Sequence, residues 1–362
     1  MQASFDSLKV ALVCDWLTVF AGAERVILEF HELFPNAPIY TTLYSAKNCP
    51  QFAKAEVRES WLRFIPGARR FHRLFLPWMP KTFETLDLDG YDLVLSSCHS
   101  TSKGIVTSPR TLHVSYCHSP IRYVWDQSHR YQKEFKSFAP FRFLFLPFLN
   151  RLRIWDRLAA ERVDAYLTNS QYVAQRIQKY YGRSSKVIAP PVDLFKFSPY
   201  EGQRQDYYLA VGRLIPYKRF DLIVDACRKA GKSLKIVGTG PSLKNLKKRG
   251  SEQVEFLGKV SDEELKTIYQ HAKALIFPQL EDFGIVPLEA MACGTPVLAY
   301  KKGGALETVT ENVSGLFLRS KMWTAWWMPS IVLKKKNGSL KRWRKAWNLF
   351  LLLDSNRNFV IF

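Results

Sequence analysis

Residues 281–290 read EDFGIVPLEA, two glutamates framing a glycine and a proline. An ionised carboxylate only accepts hydrogen bonds, so Glu281 and Glu289 suit hydroxyl-rich partners such as a sugar and a ribose. Gly284 has no Cβ and lets the main chain come close to a bound group, while the open N–H groups of a helix start favour an anion such as a diphosphate. The bland reading of the same residues is that Glu289 complements the helix dipole and Glu281 is a solvated loop acid.

For this chemistry the ten residues must fall at a particular place in a fold. The preceding ALIFP is a continuous apolar run, the pattern of a buried parallel strand, and Pro287 at N1 opens the helix PLEAMAC with Glu289 in its first turn. In an open parallel sheet ligands bind beyond the carboxyl ends of the strands, so this loop lies on a ligand-facing edge. Apolar runs followed by helical patterns occur in two series. KVALVCDW with a helix over Ala23 to Leu33, YDLVLSSC, LHVSYCH, and DAYLTNS with QYVAQRIQKYY make the first. YYLAVGR, SLKIVGTG with PSLKNLKKRG, VEFLG, ALIFP and TPVLAY make the second. The expected fold class is α/β, two Rossmann-like domains whose parallel sheets face an interdomain cleft. Pro190-Pro191 and the polar stretch Glu201 to Asp206 put the seam at residues 190–205, giving domains of 1–190 and 191–320.

At 362 residues, 47% hydrophobic and 23% charged, the chain has a globular composition and is long enough for two cores. No apolar run reaches the ~20 residues that cross a bilayer. The first residues read as the approach to a buried strand rather than as a signal peptide, so a cytoplasmic protein is expected. Six cysteines without C-x-x-C spacing argue for free thiols rather than zinc or a disulfide framework. Asp87-Leu88-Asp89 has a D-x-D form, but within LDLDGYD it reads as a turn.

EDFGIVPLEAMACGTPVLAY, preceded by ALIFPQL and followed by KKGGALETV, closely resembles the signature of glycosyltransferase family 4, retaining enzymes of the GT-B fold. The resemblance runs from KVALVCDW to about Leu318, with VGRLIPYKRFDLIVDA, IVGTGP and FLGKVSDEEL in order. It implies a nucleotide-sugar donor held mainly by the second domain and an acceptor held mainly by the first. In that picture Glu281 binds donor-sugar hydroxyls, Glu289 binds the ribose, and the amides of Phe283, Gly284, Ile285 and Val286 approach sugar and phosphate. Arg213 and Lys218 match the family's basic pair at the diphosphate, where fixed cations stabilise a departing nucleoside diphosphate. Their alternative is an ordinary surface charge cluster, and Arg219 reads as a solvated neighbour.

Gly238 and Gly240 of GTGP match the family's tight turn near the nucleotide. The turn is not a dinucleotide fingerprint, since Leu243 stands at the third glycine position. In LHVSYCHSP the expected strand ends at His118, where the family places a histidine at the donor sugar; His99 and His113 keep a structural reading. Gly22 in FAGAER corresponds to a glycine-rich loop, with Ala21 where many members carry a second glycine. The resemblance further implies same-face displacement in which the leaving phosphate helps deprotonate the incoming hydroxyl, with no protein nucleophile, metal or other cofactor. WLTVFAGAERV and SYCHSPIRYVWD look most like bacterial mannosyltransferases of surface-polysaccharide and O-antigen assembly. A hexose from GDP-mannose and a glycan or polyprenyl-linked acceptor are the implied substrates. The readings of another class are a catalytically impaired nucleotide-sugar binder and a basic membrane or nucleic-acid adaptor. An epimerase or phosphorylase on the same architecture is the alternative among enzymes.

The formal charge of +21 is unevenly spread: residues 319–362 hold ten Lys and Arg against one Asp, and five of the ten tryptophans. No specific nucleic acid is expected. Trp61 to Lys81 and Phe135 to Arg157 mix aromatics with cations in a way that suits peripheral contact with an anionic membrane. The basic, Trp-rich segment 321–362 departs from the family. Codons exist for the peptide from Lys321 that, read two nucleotides later, encode an amphipathic helix, so one reading is a reading-frame shift near Ser320. Such a shift would remove a crossing helix and leave this chain's activity in question. A nucleic-acid arm and an amphipathic membrane segment are the competing readings.

Overall fold

The computed structural model describes residues 8–128, 142–192 and 196–318, apart from the side chains at 73 and 142–146. The tail after Leu318, and with it the frame-shift reading, lies outside the described residues, as do positions 135–141 of the second aromatic stretch. The chain divides after Pro191 into two compact units.

The first unit is built on β1 (Val10–Cys14), β2 (Ile39–Thr41), β3 (Val57–Glu59), β4 (Leu93–Cys98), β5 (Leu112–Cys117), β6 (Ala165–Thr168) and β7 (Lys186–Val187). These form one sheet in the order β3-β2-β1-β4-β5-β6-β7, parallel at every pairing. Its described α-helices are α1 (Gly22–Leu33), α2 (Met79–Glu84), α3 (Arg142–Glu161) and α4 (Gln171–Tyr181). Strands β1 and β4 are buried throughout. Val10 and Leu12 pack with Val26, Ile27 and Phe30 of α1, whereas Ala11 and Val13 pack on the other face with Phe83 and Ile105. Cover on both faces is why VALVC is an unbroken apolar run. Helix α4 is bounded by local chemistry: the Ser170 hydroxyl accepts from Val173 N–H at 3.1 Å, and Gly182 at φ +66° ends it.

The second unit contains β8 (Tyr207–Val211), β9 (Ser233–Val237), β10 (Val254–Gly258), β11 (Ala274–Phe277), β12 (Val297–Tyr300) and β13 (Gly315–Leu318). They form a parallel sheet in the order β10-β9-β8-β11-β12-β13. The helices are α5 (Phe220–Ala230), α6 (Leu243–Arg249), α7 (Asp262–His271), α8 (Ile285–Ala292) and α9 (Ala305–Thr308). Leu209, Leu275, Phe277 and Val297 meet Tyr269 and Ala290 on one face, and Ala210, Ile236, Ile276 and Leu298 meet Phe220, Ile223 and Val224 on the other. Each fully buried aliphatic side chain of this kind contributes about 1.5–3 kcal/mol. In each unit the strand order reverses at one point, between β1 and β4 and between β8 and β11, the position at which open parallel sheets bind ligands beyond their carboxyl ends.

All six cysteines are free and buried, and burial pushes every thiol pKa up. LDLDGYD is a turn in which Asp89 N–H donates to Asp87 Oδ1 at 3.2 Å and Gly90 adopts φ +79°. Among the described residues no helix is long and apolar enough to cross a membrane.

Candidate functional site

Strand β11 ends at Phe277, and the chain crosses through Glu281 and Gly284 to α8. The helix begins at Ile285, two residues earlier than the expected start at Pro287, because Gly284 at φ +100° forms its left-handed cap. A proline is tolerated anywhere in the first turn, where amides have no intrahelical acceptor, so Pro287 marks a window rather than the N1 position. Glu289 therefore sits beyond the first turn, a correction to its expected place. It is 8% exposed, and Oε2 accepts from the Tyr269 hydroxyl at 3.1 Å. Burial, reinforced by the Glu289 charge, pushes the Tyr269 pKa up. The amides of Gly284, Ile285 and Val286 are those that the helix start leaves without intrahelical acceptors, with Phe283 immediately before them.

The loop after β8 supplies the opposite charge. Lys218 closes a 3-10 turn, Pro216–Lys218, and its Nζ lies 3.1 Å from Glu281 Oε1. The two side chains, 63 positions apart in sequence, are 15% and 18% exposed. The contact is an ion pair without the alignment of a hydrogen bond, so Oε1 keeps acceptor capacity. Arg213 is exposed, and among the described residues it joins no ion pair. Arg219 turns aside to Asp221 Oδ1 at 3.1 Å.

Four glycines hold these loops in place. A Cβ at Gly238 would collide with Gly212 O and one at Gly240 with Leu214 O. The GTGP turn thus rests directly on the loop that carries Arg213, with Gly212 N–H donating to Val237 O at 3.0 Å and Leu214 N–H to Thr239 O at 2.9 Å. From the other side, Gly304 N–H donates to Glu281 O at 2.9 Å. A Cβ at Gly304 would collide with Asp282 O and Phe283 Cα, and one at Gly303 would stand 2.5 Å from Glu281 O. The pair Gly303-Gly304 was not singled out as part of the site, although KKGG, a doubled glycine just past a strand, is a legible sign of close backbone approach.

In the first unit, His118 follows β5 and is half-buried. Its Nε2 lies 2.8 Å from Ser97 Oγ, which donates to Ala23 O at 3.3 Å. This joins His118 to the start of α1, whose first residue is Gly22. Gly22 does not take a positive φ. Glu24 accepts from Ala21 N–H at 2.9 Å, and burial raises its pKa.

Beside this edge stands a residue that the sequence reading missed. The buried Asp15 carboxylate receives the amides of His99 (2.7 Å), Ser100 (2.9 Å), Thr101 (2.6 Å) and Ser102 (2.8 Å). The next residue, Lys103, forms a fully buried ion pair with Asp156, to which Trp125 Nε1 (2.7 Å) and the Tyr181 hydroxyl (2.8 Å) also donate. Burial disfavours the Lys103 charge, but Asp156 together with the neighbouring Cys98 and Cys117 more than offsets it and the pKa ends raised. His113 is a core histidine 2.9 Å from Ser96 Oγ, its pKa lowered to about 3 chiefly by burial. Among the described residues, no three His, Cys, Asp or Glu come together as a metal site.

Two parallel Rossmann-like units with these loops at the strand ends define the GT-B fold. A model described as Glycosyltransferase Family 4 matches residues 20–196, and one described as Glycosyl transferases group 1 matches residues 193–346. The two matches together run from residue 20 to residue 346, and the second continues past Leu318, where the motif resemblance ends. A GDP-mannose-dependent alpha-(1-6)-phosphatidylinositol monomannoside mannosyltransferase of Mycobacterium tuberculosis is 31% identical over 191 residues, 44% of this chain and 50% of that protein. A D-inositol 3-phosphate glycosyltransferase of Mycolicibacterium smegmatis is 29% identical over 189 residues, 45% of this chain and 43% of that protein. The chain spans about half the length of the curated relatives it matches. In fold, it resembles Anabaena HepE in complex with UDP and glucose, with a TM-score of 0.66 and 17% identity over 97% of this chain and 100% of that one.

Proposed function

We propose that this chain is a retaining hexosyltransferase that moves mannose from GDP-mannose to a glycan or polyprenyl-linked glycan in bacterial polysaccharide assembly. The observation that carries a donor site is the convergence of Lys218 and Glu281, one cation and one acid from two strand-end loops, beside the open amides of Gly284, Ile285 and Val286. Lys218, Arg213 and these amides bind the diphosphate and stabilise it as it leaves. Glu281 accepts from donor-sugar hydroxyls, Glu289 binds the ribose, and Gly238 and Gly240 hold the basic loop in position. His118 contacts the sugar and Gly22 lets α1 approach the substrate. The leaving phosphate helps deprotonate the acceptor hydroxyl, and the reaction needs no metal. GDP-mannose is favoured by the printed activity of the mycobacterial relative.

A screen of nucleotide sugars for donor turnover, with and without a chelator, tests the reading. Turnover of GDP-mannose that survives chelation is expected; turnover of another donor replaces mannose, and turnover of none by a folded chain refutes the enzyme.

The same reading includes an acceptor presented at a membrane. In the first unit Phe64 is 73% exposed, Leu74 70%, Phe71 53% and Trp78 50%, above a buried anchor of Leu62, Ala68 and Met79. Arg63 lies over the Phe64 ring and Arg70 over the Phe71 ring, at 4.6 and 5.4 Å. Exposed rings with adjacent cations suit the anionic headgroup layer on the inner face of the cytoplasmic membrane. Binding to anionic vesicles should weaken with salt; absent or salt-insensitive binding rejects this contact.

A further inference from the structure

We infer that Lys218 and Glu281 exchange partners when donor binds, so that Glu281 distinguishes a nucleotide sugar from the spent nucleoside diphosphate. The inference rests on the donor-site reading above and adds the order in which its charges are satisfied.

In the structure each group is the other's counter-ion, at 3.1 Å, and both are largely withdrawn from water. A diphosphate carries more charge than one carboxylate and offers several oxygens, so it draws Lys218 away from Glu281. The carboxylate left behind is mostly desolvated, lies near new negative charge, and already has an acceptor position without a hydrogen bond. Sugar hydroxyls supply the missing donors. A nucleoside diphosphate alone, with its ribose hydroxyls taken by Glu289, supplies none there, and its binding leaves Glu281 unpaired. The main chain gives the acid little room to retreat, since Glu281 O is held by Gly304 N–H at 2.9 Å and Gly303 packs against the same carbonyl.

The pair therefore acts as a specificity device: it admits ligands that bring an anion together with a polyol, and it weakens the hold on product once the sugar has left. Glu281 then has an effect opposite to that of a simple binding residue, because removing its charge should strengthen product binding.

The experiment is calorimetric titration of the full chain with GDP and UDP, with GMP and UMP as controls. For whichever diphosphate binds, Glu281→Gln should tighten affinity about fivefold, the scale of one partly exposed ion pair. The monophosphates, which lack the second phosphate, should change by less than twofold, and an equal tightening of both classes by Glu281→Gln overturns the exchange. Lys218→Met should weaken diphosphate binding about tenfold and abolish the gain from Glu281→Gln in the double variant. Thermal melts of each variant verify that it folds. Diphosphate affinity that is unchanged or lower in folded Glu281→Gln overturns the exchange while leaving the donor site standing. Failure of both diphosphates to bind the wild-type chain overturns the donor site and the exchange with it.

Discussion

The two units share a strand order, and at the reversal point they treat their polar groups in opposite ways. Beyond β1 and β4 those groups are consumed internally: four amides close on Asp15, and Lys103 is neutralised by Asp156 under Trp125 and Tyr181. Beyond β8 and β11 the pairing is incomplete: Lys218 and Glu281, though largely withdrawn from water, share one unaligned contact, and the exposed Arg213 has no ion pair among the described residues. A satisfied buried network rigidifies its surroundings, whereas partly satisfied groups at an edge are available to a ligand. Topology marks both edges as candidates; the state of their hydrogen bonds separates a locked frame from a gripping surface.

The comparison breaks most readily at Lys103. Lys103→Met leaves Asp156 charged and buried, and should cost about 3–5 kcal/mol in urea denaturation. A loss below about 1 kcal/mol, typical of a surface pair, would show that the first edge is not locked. Acid provides the next test, through His113. Its pKa is about 3 when folded, below the ordinary histidine value of about 6.5 in the unfolded chain, so between these values the unfolded state binds the additional proton. Stability should accordingly fall as pH drops from about 6.5 towards 3, at up to about 1.4 kcal/mol per unit from this group. Denaturation midpoints at several pH values should show a shallower slope in His113→Gln.

In the second unit, Gly304→Ala drives a methyl into Asp282 O and Phe283 Cα. Displacement of the acid loop should lower kcat/KM for donor about tenfold, with an overpacking cost of about 1–3 kcal/mol in the fold. The smallest stability effect is expected for Lys218→Met, below about 1 kcal/mol by thermal melting. The comparison is sharpened if this variant loses nucleotide binding while remaining as stable as the parent, and fails if it unfolds as Lys103→Met does.

The long buried strands were legible because cover on both faces demands unbroken apolar runs, as in VALVC and ALIF. The three-residue β2 and β3 and the two-residue β7 were not, since so few residues establish no period and their pairing is decided by the rest of the sheet. The candidate acids and cations were visible by type, but the Lys218–Glu281 contact was not, because only the folded sheet brings β8 and β11 side by side. The helix start was misplaced because proline chemistry tolerates several positions in the first turn, while the decisive feature was the backbone angle at Gly284. Asp15 and Lys103 each stand alone in an apolar or small-residue run, and a single charged residue does not reveal the buried partner that makes it tolerable.

The contacts between strand-end loops in the second unit are made largely by main-chain atoms, with glycines at Gly238, Gly240, Gly303 and Gly304 where the strands of chain touch. A scaffold braced in this manner tolerates exchange of the side chains displayed along it, provided that the glycines stay. Substitutions among the side chains carried by these loops can therefore accumulate one at a time on an unaltered skeleton.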